Sequence, residues 1–392
     1  MSFIPEGEDS PIAETIGNYK LIREIGVGSF SIVWLARNLK ADLDVAIKII
    51  PKKRIATDVN IIRFERETNF LKQLDHPLIA QYFEHLEDDN YHYFVMELAP
   101  NGDLLAAVNR QGKMDEQQAK LYFAQLIVVL DYLHNDMLVA HRDLKAENVL
   151  LDKNENIRLI DFGFSRSFTA DDPNLNTTCG SPAYVPPEMI KREAYTVQAD
   201  VWSTGILLYS LVVGRLPFED SENNVQKILQ KIAYSEPFYP RFISPDLKDL
   251  LTKMLTKQPD KRITIAEIRK HPWFPAPIAA ELEKFTKNNS GSSQSLESFK
   301  YDEDVAKECS NCGIDTTTLQ QRLIAHEFDS ETAIYLMYRK RKITNLLHGV
   351  IKQGVSNEVK RSTSLTNVTG NSNTPKIVRR KLPSRSTTQP IH

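Results

Sequence analysis

The 392-residue chain is 41% hydrophobic and 26% charged, a composition that supports a buried core and excludes a wholly disordered polymer. Lys+Arg (49) nearly balances Asp+Glu (51), and the net charge of -2 leaves no whole-chain electrostatic footprint for nucleic acid. Three cysteines exclude a disulfide framework and fit a reducing compartment, while no apolar run approaches the roughly 18–20 residues of a transmembrane helix.

In chain order, residues 1–18 are acidic (Glu6, Glu8, Asp9, Glu14) and carry no Lys or Arg before Lys20, so they lack the basic start of a signal or transit peptide. They are expected to form a disordered leader. A β-rich segment starts near Tyr19, with β-branched runs at Ile32–Leu35 and Val45–Ile50. Ile62, Phe64, Phe70, Leu71 and Leu74 recur near the helical period until Asp75-His76-Pro77 ends the pattern. Tyr91–Leu98 reads as a buried strand, and from about Asp103 to Phe274 the pattern is mostly helical. A smaller β-rich lobe thus precedes a larger α-rich one, with a cleft expected between them. Residues 275–299 are read as a linker, centred on the polar Lys287–Ser298 stretch. Over 300–345, Val305, Leu319, Leu323, Ile324, Ala333, Ile334, Leu336 and Met337 suit the core of a three-helix bundle. From there to the end, eight Lys/Arg face one Glu over 345–392, the composition of a disordered basic tail.

Ile25-Gly26-Val27-Gly28-Ser29-Phe30-Ser31-Ile32-Val33 is a glycine-rich loop of the kind that lets backbone N–H groups approach phosphate. A dinucleotide-binding fold needs a helix after such a loop, whereas Ile32–Leu35 prefers a strand, so the loop is expected to cap a hairpin. Val45-Ala46-Ile47-Lys48 puts a lysine on a strand. His141-Arg142-Asp143-Leu144-Lys145-Ala146-Glu147-Asn148 supplies Asp, Lys and Asn within six residues, and a strand–turn–strand leads to Asp161-Phe162-Gly163. Each piece has a bland reading alone; the ordered set does not. The nine histidines look scattered, and Cys309-x-x-Cys312 lacks the second pair of a zinc site.

This set resembles the eukaryotic Ser/Thr protein kinases across Tyr19–Phe274. The resemblance implies an α+β bilobal fold, with a small β-rich N-lobe, a large α-rich C-lobe and a small helical C-terminal module. It also implies transfer of phosphate from ATP, with Mg2+, to protein hydroxyls. Asp143 would orient or deprotonate the acceptor, Lys145 beside it points to Ser/Thr substrates, and Asn148 and Asp161 would hold the metal. Lys48 would contact phosphates and pair with Glu67, Glu65 being the alternative. The ATP site would be lined by Ile25, Gly26, Val27, Gly28, Ser29, Phe30, Ser31, Val33, Ala46 and Leu150. Met96 takes the gatekeeper position, the backbone of Glu97 and Ala99 would meet adenine, and Asp103 would lie near the ribose. Ser31 departs from the family's third loop glycine, and Pro186-Pro187-Glu188 from the usual Ala-Pro-Glu. Glu188 is expected to pair with Arg262, and Asp200 to brace the catalytic loop.

The Thr177-Thr178-Cys179-Gly180-Ser181-Pro182 segment, the His271–Phe274 ending and the following helices are similar to the AMP-activated kinase-related branch of the calcium/calmodulin-dependent kinase group. That likeness implies activation by an upstream kinase at Thr177, with Thr178 as the alternative, and a ubiquitin-associated-like regulatory module over 300–345. Asp103 and Glu147 favour protein substrates with basic residues upstream of the acceptor. Tyr338–Lys342 is read as a solvated helix end, and Ser364 as a self-phosphorylation candidate. No nucleic-acid partner and no membrane span are expected, and the setting is cytoplasmic or also nuclear. The rival readings are a nucleotide-binding scaffold acting through its C-terminal module and a small-molecule kinase of the same fold.

Overall fold

The computed structural model describes residues 12–28, 31–55, 58–162, 182–194, 196–290 and 301–368, with backbone alone at 58–60, 62–63, 66–67 and 359–368. The small lobe is an antiparallel sheet of order β1-β2-β3-β4-β6-β5. Its strands are β1 (Thr15–Ile16), β2 (Tyr19–Val27), β3 (Ile32–Asn38), β4 (Leu43–Pro51), β5 (Tyr82–Glu87) and β6 (Tyr91–Glu97), and helix α1 (Asp58–Gln73) intervenes between β4 and β5. The alternation of Val45, Ile47 and Ile49 puts these nearly inaccessible side chains on one face, and the register sets Ala46 opposite Met96.

The larger lobe begins with α2 (Leu104–Gln111) and α3 (Glu116–Asp131). The hairpin β7 (Val149–Leu151) and β8 (Ile157–Leu159) precedes α4 (Pro187–Ile190), α5 (Gln198–Val213), α6 (Val225–Tyr234), α7 (Pro245–Met254) and α8 (Ile265–Ile268). The sequence signs these helix ends clearly. Asp103, Asp115 and Ser244 accept N-cap bonds, Thr264 and Glu267 form a capping box, and Gly214 closes α5 at φ 78°. α5 is apolar nearly all round because it is the centre of this lobe, where Trp202 stacks on Phe218. Among the described residues, no helix is long and apolar enough to cross a membrane.

Three boundaries differ from those expected. Within the presumed leader, Ile12 and Ile16 are buried, and Gly17-Asn18 makes the two-residue turn of a β1–β2 hairpin, with Gly17 at φ 54°. Within the presumed linker, α9 (Ala276–Asn289) buries Ile278, Ala279 and Leu282, apolar residues at helical spacing whose partners lie in α3 and far along the chain. The three helices expected over 300–345 are α10 (Glu303–Asn311), α11 (Leu319–Ile324) and α12 (Ser330–Val368). α12 continues well into the presumed tail, burying Leu347 and Ile351 in the larger lobe's core as it runs along α9. Gly354 permits that approach, since a Cβ there would lie 2.9 Å from Ile278 Cα. Residues 1–11, 291–299 and 369–392 lie outside the described residues.

Two side-chain readings are also corrected. Tyr338, Arg339 and Lys340 are buried in the first third of α12, because carbonyls and carboxylates distant in sequence receive their polar atoms. The histidines are not all scattered: strand pairing sets Glu87 opposite His92 and brings His85 beside them. Cys309 is buried, and Cys312 Sγ lies 2.9 Å from the Tyr338 hydroxyl.

Candidate active site

The chemistry-bearing residues converge where β4 faces the loops around β7 and β8. Lys48 is held in the centre of the sheet opposite Val33 and Phe94, and its Nζ reaches Asp161 Oδ1 at 2.9 Å. The Lys48 ammonium beside it is the main reason that the Asp161 carboxyl sits below the usual range, against the opposing effect of burial. Asp161 adopts φ 58°, a left-handed conformation that a non-glycine residue keeps only where its surroundings impose it. The next residue, Phe162, packs against Phe70 of α1 and against His141.

Asp143 stands on the loop before the short turn Ala146–Asn148. Lys145 Nζ donates to Asp143 Oδ2 at 2.9 Å, and Asn148 Nδ2 donates to the same oxygen at 2.9 Å and to the Asp143 carbonyl at 2.7 Å. With its nitrogen committed to Asp143, Asn148 has its amide oxygen to offer a cation. That oxygen and the Asp161 carboxylate form a hard donor pair that fits Mg2+ and suits softer metals poorly.

Asp200 fixes this loop from below. It accepts from the backbone N–H groups of His141 (2.8 Å) and Arg142 (2.9 Å) and lies 2.8 Å from His134 Nε2. Burial pushes its carboxyl up, but the His134 contact and the two histidines' charge outweigh this and leave it lowered. Arg142 at φ 70° is the strained residue so held. Glu188 and Arg262 form the expected pair, doubly bonded at 2.8 and 2.9 Å and fully buried.

The other expected residues divide. Ile25, Gly26, Val27, Gly28, Ser31 and Val33 lie on the β2–β3 hairpin, and the Gly28 N–H donates to the Ser31 carbonyl at 2.7 Å. A Cβ on Gly28 would meet Ser31 Oγ at 3.1 Å, so the serine occupies space that the second glycine leaves open. Ala46 and Met96 are paired on adjacent strands. Ala99 follows in the connection to α2, and Leu150 bridges to Asp103. The Asp103 carboxylate caps α2 through the Ala106 N–H at 2.7 Å. Ser29, Phe30, Thr177 and Thr178 lie outside the described residues, as does the side chain of Glu67, whose backbone belongs to α1; Ser364 likewise has only its backbone, in α12.

What the sequence did not disclose lies behind the connection between the lobes. Glu97, expected to act through its backbone, turns its carboxylate to the fully buried Arg158 at 2.6 Å and to Lys340 of α12 at 3.4 Å. Arg158 also reaches Asp152 at 2.9 Å and Thr344 Oγ1 at 2.7 Å. Lys340 Nζ donates to the carbonyls of His76, Pro77 and Ile79 at 2.9, 3.2 and 2.7 Å. Nothing local in a Tyr-Arg-Lys-Arg-Lys run distinguishes the one lysine that finds such a cage. His134, the support of Asp200, carries no sequence signal either.

The protein kinase domain family matches residues 19–274. The chain is 40% identical over 266 residues to "CBL-interacting protein kinase 11" of Oryza sativa subsp. japonica, covering 67% of this chain and 52% of that protein. It is 39% identical over 269 residues to "SNF1-related protein kinase catalytic subunit alpha KIN12" of Arabidopsis thaliana, covering 69% and 54%. Identity of 36% extends over 338 residues to "Serine/threonine-protein kinase SIK1" of Mus musculus, covering 86% of this chain and 42% of that one. The chain spans about half the length of the curated relatives it matches.

Proposed function

The chain belongs to the protein kinase family, and from that premise we propose that it transfers the γ-phosphate of ATP to Ser/Thr hydroxyls of proteins. The observation that carries the reading is the joint placement of Asp143 under Lys145 and Asn148 with Lys48 on Asp161. Asp143 takes the acceptor's proton as the hydroxyl oxygen bonds to the γ-phosphorus and the bond to the β–γ bridging oxygen breaks. Lys145 offsets charge beside that carboxylate, and Lys48 is the cation for the α- and β-phosphates, with Glu67 the partner that the family resemblance implies for it. Asn148 and Asp161 hold Mg2+, which supplies positive charge against the phosphate oxygens when bound. Ile25, Gly26, Val27, Gly28, Ser29, Phe30, Ser31 and Val33 cover the nucleotide. Ala46, Met96 and Leu150 flank its base, Glu97 and Ala99 meet it through their backbone, and Asp103 stands by the ribose.

Substrates with basic residues upstream of the acceptor fit the half-buried carboxylate of Glu147, which stands on the short turn between Lys145 and Asn148. Phosphorylation of Thr177 by an upstream kinase supplies an anion for Arg142, the residue Asp200 holds next to the catalytic aspartate. The α10–α12 module, seated against Glu97 by Lys340, modulates the enzyme. A cytoplasmic setting, extending to the nucleus, suits the free thiols of Cys309 and Cys312.

Phosphate transfer from radiolabelled ATP with Mg2+ to a Ser/Thr peptide library tests the reading. Label that enters peptides with upstream Arg or Lys, and vanishes in Asp161→Asn, supports it. No label even from a Thr177-phosphorylated sample would favour the nucleotide-binding scaffold.

A further inference from the structure

The β5–β6 hairpin carries a group of side chains that phosphate transfer does not use. His85 Nε2 and His92 Nδ1 are 3.1 Å apart, and Glu87 Oε2 is 3.4 Å from the same His92 nitrogen. All three donors lie within 4.8 Å of one another. Bonds of about 2.0–2.2 Å at tetrahedral angles separate neighbouring donor atoms by roughly 3.3 Å, so the two shorter separations already match those around a bound zinc ion. Two imidazoles and one carboxylate, with a fourth position open to water, are a ligand set that zinc favours.

The surroundings hold the donors in place. Phe64 of α1 lies against His92, with ring centroids 4.5 Å apart, and meets His85 edge-on at 6.0 Å. His85 stacks on Phe94 at 4.9 Å. Such aromatic walls fix ring orientations before any ion arrives. Lys52 opposes a cation: its Nζ lies 3.0 Å from Glu87 Oε2, but its side chain is about one-third exposed and is free to swing into solvent. Lys72 adds a further positive charge near His85, and Asp88 a negative one near His92.

We propose that His85, Glu87 and His92 form a binding site for a zinc-class divalent cation, which displaces the Lys52 ammonium and ties the β5–β6 hairpin together beneath α1. In the hydrogen bond between the two rings one of the facing nitrogens carries the proton, and that imidazole takes its other neutral tautomer when the ion binds. The site stands on its own geometry, whatever the enzyme's substrates prove to be.

The test is a Zn2+ titration by calorimetry on the full, reduced chain, made in a Cys179→Ser, Cys309→Ser, Cys312→Ser background so that thiols do not compete. One equivalent is expected to bind. His92→Gln should weaken binding by more than about 100-fold, exceeding the roughly 10–100-fold effect of losing only a ligand's supporting partner. Lys52→Met retains all three donors and removes the competing charge, so it should tighten binding; it also covers the case in which a histidine variant fails to fold. A cobalt-loaded sample should show the visible absorption of a four-coordinate N/O site. Absence of binding in the thiol-free protein, or an affinity unchanged by both His92→Gln and Lys52→Met, overturns the proposal.

Discussion

Replacing Lys340 with methionine removes an ammonium from a cage of three carbonyls and leaves Glu97 paired with Arg158. Burial pushes Lys340 down to about 8 from its ordinary 10.5, a fall that the attraction of Glu97 only partly offsets. Below pH 8 the lysine is protonated in both the folded and the unfolded chain, and the folded state bears the full cost of burying the charge. Between pH 8 and pH 10.5 the folded chain releases a proton that the unfolded chain keeps, so this cost is relieved and stability rises with pH. At about 1.4 kcal/mol per pH unit, wild type should gain about 3 kcal/mol on Lys340→Met across that window. Lys257, also lowered to about 8 by burial, titrates alike in both proteins and drops out of the difference. Urea denaturation of the pair at steps across the window measures it directly. Parallel stability profiles would refute the reasoning, because they would mean that Lys340 is not buried behind Glu97.

Gly354→Ala and Gly349→Ala form a matched pair on α12. Alanine gains about 1 kcal/mol of helix propensity at either site, but at 354 its methyl meets Ile278 Cα at 2.9 Å, whereas at 349 it meets nothing within 4 Å. Overpacking of about 1–3 kcal/mol should win at 354, so denaturation midpoints should fall there and rise at 349. Arg262→Ala strands the buried Glu188 carboxylate and should cost about 3–5 kcal/mol, with part recovered in the Glu188→Ala, Arg262→Ala double variant; a denaturant double-mutant cycle reads both. Asp200→Asn replaces an acceptor of two backbone N–H groups and the His134 contact by an amide with one acceptor oxygen. Phosphate transfer should fall more steeply than ATP affinity, as measured by initial rates and nucleotide titration.

Much of the candidate site is legible because its residues are close in sequence and their types follow from the chemistry. Asp143, Lys145 and Asn148 sit within six positions and do meet, and Lys48 is fixed by a β-branched strand whose period is plain. The helix caps were legible for the same local reason. What escaped depends on long-range partners. Lys340 looks like its charged neighbours until the carbonyls of residues 76–79 arrive, and His85, Glu87 and His92 become a cluster only through strand register. Ile278 and Ile351 sat in stretches whose polar composition outweighed a sparse apolar stripe, and Gly354 shows its purpose only against α9. Glu97 reads in the sequence as a backbone contact alone, since its carboxylate's partner lies 61 residues away on β8.

The small lobe's core is shared between the two ends of the chain. Ile12, Ile16, Trp34 and Tyr93 belong to one apolar cluster with Val305, Leu319, Ile334 and Met337, and the Tyr338 hydroxyl donates to the Ala41 carbonyl across 297 residues of sequence. The last strand ends at Glu97, so on a ribosome adding about 5–20 residues per second the sheet waits roughly 10–50 s for the helices that complete it. During that interval its outer apolar face has no cover of its own. Nascent chains, and any product ending before α10, are therefore the forms of this protein most exposed to aggregation and most dependent on chaperones.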